Sequence, residues 1–289
     1  MHQADFTIVP SGPFSLKEAT TFGFGQRDSQ PYEGVMRLAF CLDGYRDQVA
    51  VALRQDDDGV HGWVDGYADT GAVRAQVARV LSLDHDGEDF LAVGKRDRVV
   101  ARLQAVAPGL RPPLFYSPYE AAAWSILSAR RPAAQMARLR EQLNRQHGRR
   151  FVVADQEMAA FPLPEQLLGI EQFPGLPDLK LGRLHRVATA ALDGRLDADT
   201  LRSLPIDEAG AALRRLDGIG PFYSALVLIR ATGHADLLPT QEPRLQALVA
   251  QLYDLPAPPG PDQLTALAEP WRPFRTWVAV LIRAATARL

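Results

Sequence analysis

The 289-residue sequence predicts an α+β fold, a small antiparallel-sheet domain over residues 1–111 followed by an all-helical domain over 112–289. Three observations carry this reading. Short apolar runs of β-type composition, joined by turn residues, fill the N-terminal part. A break follows at Pro108-Gly109 and Pro112-Pro113. Beyond it, apolar residues recur at helical spacing almost to the last position.

Taken in order, Asp5 to Val9, Val35 to Leu42, Gln48 to Leu53 and Gly59 to Val64 read as strands. Asp43-Gly44 and Asp56-Asp57-Asp58-Gly59 supply the hairpin turns between them. Helices are expected near Leu16 to Thr20 and over Gly71 to Leu81, where Val73, Val77, Val80 and Leu81 form an apolar stripe. The aspartates at 56–58 lack the terminal bidentate acid of a calcium loop and read as a solvated turn.

In the helical part, Ser117 is placed to cap a helix, with Pro118 at its first position and Glu120 closing a capping box. Trp124, Ile126 and Leu127 follow on its apolar side. Pro132 opens a second helix with Met136, Leu139 and Leu143 inward and Gly148 as its stop. Arg130, Arg131, Arg138, Arg140, Arg145, Arg149 and Arg150 stand here against the single acid Glu141. Such a run is either a solvated helix face or local basic surface for nucleic acid. Helices over Asp178 to Leu192 and Asp199 to Leu204 lead to the stretch that organises the chain. After it come a helix marked by Leu245, Leu248, Val249 and Leu252, a loop over 256–261, and helices over Gln263 to Ala268 and from Arg275 onward.

That stretch is a short hairpin over 216–221, flanked by apolar residues at helical spacing from Ile206 to Leu216 and from Phe222 to Ile229. Gly218 and Gly220 let the backbone turn with positive φ and approach a partner closely, while Ile219 plugs the turn into the core. Pro221 opens the second helix, whose unpaired N–H groups and positive dipole end suit a phosphate oxygen. A dinucleotide-binding reading fails, because no third glycine stands at position 223 and a helix precedes. A helical hairpin buried in a core, without a ligand, stays open at this point.

Composition sets outer limits. With 47% hydrophobic and 23% charged residues, the chain is globular, and a net charge of −2 leaves nucleic-acid binding to local basic patches. One cysteine, Cys41, excludes an internal disulfide and any multi-cysteine metal site within one chain. The six histidines are scattered without a His-Glu-x-x-His pattern, so no catalytic metal is assigned. The start lacks the order of a signal peptide and no apolar run approaches membrane length, which points to the cytoplasm.

Four phrases in order, Tyr119-Glu120-Ala121-Ala122-Ala123-Trp124-Ser125-Ile126-Leu127-Ser128, Phe161-Pro162-Leu163-Pro164-Glu165-Gln166-Leu167, Leu216 through Ala225, and Trp271-Arg272-Pro273-Phe274-Arg275-Thr276-Trp277, resemble the helix-hairpin-helix base-excision DNA glycosylases. Within them the chain is most similar to the 3-methyladenine DNA glycosylase II branch. The resemblance spans residues 117 to about 285 and more weakly the N-terminal sheet domain.

The resemblance implies a two-lobed helical domain that flips a damaged, alkylated base out of duplex DNA and hydrolyses its glycosidic bond. The family's catalytic aspartate corresponds here to Glu242, one methylene longer, in the loop after the hairpin's second helix. Pro243 would open the next helix there, and a helix N-terminus suits a negative charge. Without that role Glu242 is a charged residue at a helix start. The hairpin residues Gly218, Ile219 and Gly220, with Ser224, are implied as the DNA clamp, together with Na+ or K+ at hairpin carbonyls near Gly218. No other cofactor is implied.

Arg130, following Ala129 where relatives carry glutamine, corresponds to the side chain that fills the gap left by the flipped base. A phosphate contact is the other reading for it, and Arg131 adds to the DNA-binding set. Phe222 stands where relatives that also cut the backbone carry lysine, and the chain's lysines are Lys17, Lys95 and Lys180, so a monofunctional enzyme without lyase activity is expected. Phe222, Trp124 and Trp277 are the candidate base-pocket aromatics, though an aromatic in a helix is also an ordinary core residue. Arg283 replaces a further aromatic of relatives, which weakens stacking on cationic purines. The implied partner is duplex DNA, with no membrane and a monomeric chain near the nucleoid. The alternative is a non-catalytic helix-hairpin-helix protein that binds lesions without excising them.

Overall fold

The computed structural model describes residues 4–22, 32–66 and 69–289. Strands β1 (Phe6–Ile8), β2 (Met36–Cys41), β3 (Gln48–Asp56) and β4 (Gly59–Asp65) form one antiparallel sheet in the order β1-β4-β3-β2. Register pairs such as Leu38 with Val51 and Leu53 with Gly62 follow from the tight turns at Asp43-Gly44 and at 56–59.

Helices α1 (Leu16–Phe22) and α2 (Thr70–Val80) pack on one face of the sheet, against Leu38, Phe40, Val49, Val51 and Leu53. The other face carries Ala39 and Ala50 and is covered by Phe151 and Val153. Those residues belong to a hairpin of β5 (Arg150–Val153) and β6 (Gln156–Ala159), strands inside the region expected to be all helical. Alternate residues of β3 therefore meet two different cores, and both sets are buried.

Beyond α2, two helices absent from the sequence reading follow: α3 (Gly87–Arg96) and α4 (Arg98–Val106), capped by Asp86 and Asp97. Then come α5 (Pro118–Ser128), α6 (Ala133–His147), α7 (Pro164–Leu168), α8 (Asp178–Leu192), α9 (Ala198–Ser203), α10 (Ile206–Arg214), α11 (Pro221–Ala231), α12 (Pro243–Leu252), α13 (Pro261–Leu267) and α14 (Arg275–Ala285).

The helices divide between two cores. One gathers α5, α6 and α8 to α11 around Trp124, Ile126, Leu184, Leu213 and Val227. The other gathers α12 to α14 with Phe90, Val93, Val100 and Leu103 of α3 and α4. Residues 87–110, placed before the sequence boundary at 111, thus pack into the C-terminal lobe. Their amphipathic faces are buried by α14, and the proline-rich break that follows is a crossing between lobes.

Ser117 caps α5 as expected, accepting the Glu120 N–H at 3.2 Å. The Glu120 carboxylate is fully buried, accepting from Arg140 Nη2 at 2.6 Å and from the Cys41 N–H at 3.2 Å, so Arg140 leaves the expected basic surface for the interior. Among the described residues, no helix is long and apolar enough to cross a membrane.

Candidate active site

The hairpin between α10 and α11 is built by backbone geometry. The Leu216 carbonyl accepts the Ile219 N–H at 3.0 Å, and Gly218 sits at φ +88°. The positive φ favours glycine, and a Cβ there would stand 2.8 Å from Ile126 Cδ1 and 3.0 Å from Arg183 Cδ, so those side chains would have to shift. Ile219 is buried in the core. Gly220 differs: its φ of −85° suits any residue, and a Cβ would meet nothing within 4 Å. It is the N-cap of α11, where no side chain among the described residues caps the helix. Ser224 is buried, and its hydroxyl donates back to the Pro221 carbonyl at 3.0 Å, which directs it into its own helix.

A basic rim adjoins the hairpin. Arg183 lies 3.3 Å from the Asp217 carboxylate and Arg186 also contacts it, and the hydrogen bond from Arg183 with both positive charges holds that carboxyl below its ordinary range. One turn earlier on α8, Lys180 Nζ donates to the carbonyls of Leu127 at 2.6 Å and Ala129 at 3.0 Å, closing the C-terminal end of α5. Burial, then the charges of Arg131 and Arg183, pull its ammonium pKa down. The loop it secures presents Arg130, exposed and in the left-handed region at φ +55°, and exposed Arg131.

A cleft of about 360 Å³ opens between the two helical lobes. One wall is α11, through Phe222, Ala225, Ile229 and Arg230; the other is α14, through Thr276, Ala279, Val280 and Arg283. Leu238 to Glu242 bridge them, and Phe22 of α1 also reaches the cleft. Glu242 is the N-cap of α12, at the positive end of that helix. Its Oε1 accepts from Arg283 Nη1 at 2.9 Å, and its side chain is only 16% exposed. Buried Arg230, also lining the cleft, stacks its guanidinium over the Phe22 ring at 5.5 Å. Desolvation and the nearby Arg283 charge lower the Arg230 pKa to about 9.

Of the three expected pocket aromatics, Phe222 lines the cleft, 62% exposed and edge-on to Tyr223. Trp277 does not. It is buried against Phe274 at 4.9 Å, Phe90 at 5.1 Å and His85 at 5.5 Å. On α14 the cleft-facing positions 276, 279, 280 and 283 share one face, and 277 is rotated about 100° away from its neighbour, toward the core. Trp124 is likewise buried, in the core of the first lobe. Phe22 and the Glu242–Arg283 pair were not foreseen, because each joins segments distant in sequence. Among the described residues, no group of three or more His, Cys, Asp or Glu side chains could hold a metal ion.

No family model matches the chain. It is 26% identical over 220 residues to the probable bifunctional transcriptional activator/DNA repair enzyme AlkA of Mycobacterium tuberculosis, covering 74% of this chain and 42% of that protein. It is 24% identical over 124 residues to the alkylbase DNA glycosidase-like protein mag2 of Schizosaccharomyces pombe, covering 41% of this chain and 58% of that one. The chain thus spans about half the length of the curated relatives it matches. Among solved structures it is similar to the 3-methyladenine DNA-glycosylase from Archaeoglobus fulgidus, with a TM-score of 0.79, 21% identity and 98% of each chain covered. It is also similar to Schizosaccharomyces pombe Mag1 in complex with abasic DNA, with a TM-score of 0.52, 21% identity, and 68% of this chain and 97% of that one covered. A sheet domain, a glycine-kinked hairpin and two helical lobes parted by a cleft, together with these matches, give the chain the fold of the solved 3-methyladenine DNA glycosylases.

Proposed function

We propose that the chain is a monofunctional DNA glycosylase that excises damaged, alkylated bases from duplex DNA, working as a monomer in the cytoplasm. The observation that carries this reading is the position of Glu242, a carboxylate at a helix N-terminus on the wall of the interlobe cleft. Gly220 leaves open space where a phosphate can approach the first amides of α11, and Arg183, Arg186 and the exposed Arg131 add positive charge along the strand. Arg130 projects from a strained loop position suited to filling the gap left by a flipped nucleotide. Na+ or K+ at the hairpin carbonyls near Gly218, where Leu216 O keeps a second lone pair after accepting from Ile219, is part of this reading as a further phosphate ligand.

With a nucleoside in the cleft, the C1′–N bond lengthens and its electron pair leaves with the base nitrogen. Positive charge grows on the sugar ring, where the Glu242 carboxylate stabilises it. A water oxygen then bonds to C1′ and gives up a proton. No lysine lines the cleft among the described residues, and Lys180 is engaged with the end of α5, so a Schiff base with the sugar is not part of the reading. Base release from methylated duplex DNA, compared with the Glu242→Gln variant, tests the assignment. Undiminished release by the variant would reject it.

The sequence alone left open a lesion-binding protein without excision. A part-buried acid lining the cleft favours catalysis over that reading, since binding alone has no use for a carboxylate facing phosphate-rich DNA.

A further inference from the structure

The charged side chains lining the cleft, among the described residues, are Arg230, Glu242 and Arg283. Two are cations, and the carboxylate is already engaged by one of them at 2.9 Å. The remaining lining is apolar or neutral, and Phe222 and Phe22 are its aromatics. Among the described residues, the wall that a base meets in this cleft therefore carries two guanidinium groups to one carboxylate.

We infer that Arg283, with Arg230 also lining the cleft, is a specificity-determining residue that selects uncharged damaged bases bearing hydrogen-bond acceptors over cationic N-alkylated purines. This rests on the base-excision reading above and names its substrate class. Two arguments support it. A purine alkylated at a ring nitrogen such as N3 or N7 carries a positive charge in DNA, and bringing it beside two guanidinium groups in a part-buried cleft is unfavourable. An uncharged adduct meets no such penalty, and its carbonyl or ring-nitrogen acceptors match guanidinium donors.

The second argument concerns the leaving group. When the C1′–N bond of a cationic nucleoside breaks, the electron pair neutralises the base, which departs uncharged without help. When the same bond breaks in an uncharged nucleoside, the base departs with negative charge until it gains a proton from the incoming water. Fixed positive charge beside that base stabilises the developing anion. The cleft supplies what the uncharged substrate lacks. A cationic substrate gains little from it.

The test uses the full chain on two duplexes, one carrying 1,N6-ethenoadenine, which is uncharged, and one carrying cationic 7-methylguanine. Single-turnover release is measured for wild type, Arg283→Met and Arg283→Gln, the last keeping a hydrogen-bond donor toward Glu242 without the charge. The ratio of cationic to uncharged release is the readout, because intrinsic lability cancels between variants. Both substitutions are expected to raise that ratio at least tenfold. A ratio unchanged within twofold in both overturns the inference.

If wild type releases neither base, the excision reading fails, and binding to 2′-fluoro duplexes that resist cleavage decides the charge selection separately. Wild type is then expected to prefer the uncharged lesion, and Arg283→Gln to lose that preference. Equal binding by wild type overturns the inference.

Discussion

Glu242 Oε1 lies 2.9 Å from Arg283 Nη1, so the carboxylate at the end of the segment bridging the cleft walls is tied to α14, which forms one of them. The tie restrains the longer side chain that stands where the sequence resemblance implies an aspartate. Glu242→Asp is therefore expected to break the contact with Arg283 and not to restore a better site. A displacement on the order of 1 Å costs about a hundredfold in rate, the size of loss expected in single-turnover release. Glu242→Gln removes the charge and is expected to lose more, while both variants still bind duplex DNA.

The two hairpin glycines are expected to fail in different ways when changed to alanine. Gly218→Ala meets Ile126 and Arg183 at a positive φ and destabilises the fold by about 1–3 kcal/mol, seen as a lower denaturation midpoint. Gly220→Ala has an ordinary φ and open space, so the midpoint stays within about 0.5 kcal/mol of wild type. Its cost appears in DNA affinity, through a methyl group at the helix start where a phosphate would sit.

The aromatics separate in the same manner. Trp277→Ala empties a buried cluster with Phe90 and Phe274 and is expected to cost about 3–5 kcal/mol of stability. Phe222→Ala removes an exposed ring from the cleft and is expected to leave stability nearly unchanged while weakening release of any damaged base. Thermal or denaturant unfolding, run beside the release assay, distinguishes the two.

Much of this architecture can be read from residue order, and the exceptions have physical causes. Asp43-Gly44 and the turn ending at Gly59 announce their hairpins because glycine accepts positive φ. The β5–β6 hairpin turns instead at Ala154 and Asp155, at φ 44° and 64°, without a glycine to mark it. α3 and α4 were missed although Asp86 and Asp97 cap them, since short helices rich in charge show their apolar stripe only against the lobe that buries it. At the site, Glu242 was legible as the acid between the hairpin helix and the next. Arg283 was legible as a departure, but its pairing with Glu242 depends on how α12 and α14 meet. Trp277 was misplaced because helical spacing gives neighbours and not which face a lobe hides.

Glu120 gives the fold a pH dependence. Burial raises its carboxyl pKa from the ordinary 4.5 to about 7, against the opposing pull of Arg140. Between those values the folded chain holds a proton that the unfolded chain releases. Stability from this group is thus greatest below about 4.5 and falls as pH rises through about 7. Glu120→Gln, neutral throughout, is expected to flatten the stability profile across that window in denaturant titrations. An equal slope in wild type and variant would show that another group carries it.

Arg130 sets stability against activity at one position. A non-glycine residue in the left-handed region is strained by about 1 kcal/mol or more, and Lys180 holds the preceding residues in place through the carbonyls of Leu127 and Ala129. Arg130→Gly relieves that strain and is expected to raise stability by about 1 kcal/mol. It also removes the side chain proposed to fill the duplex where a nucleotide has swung out, so release of a damaged base is expected to fall. Arg130→Ala keeps the strain and loses the same side chain, and should match the glycine variant in release but not in stability. If both variants excise bases as fast as wild type, the wedge role fails, and the strained arginine then has no function in the reaction.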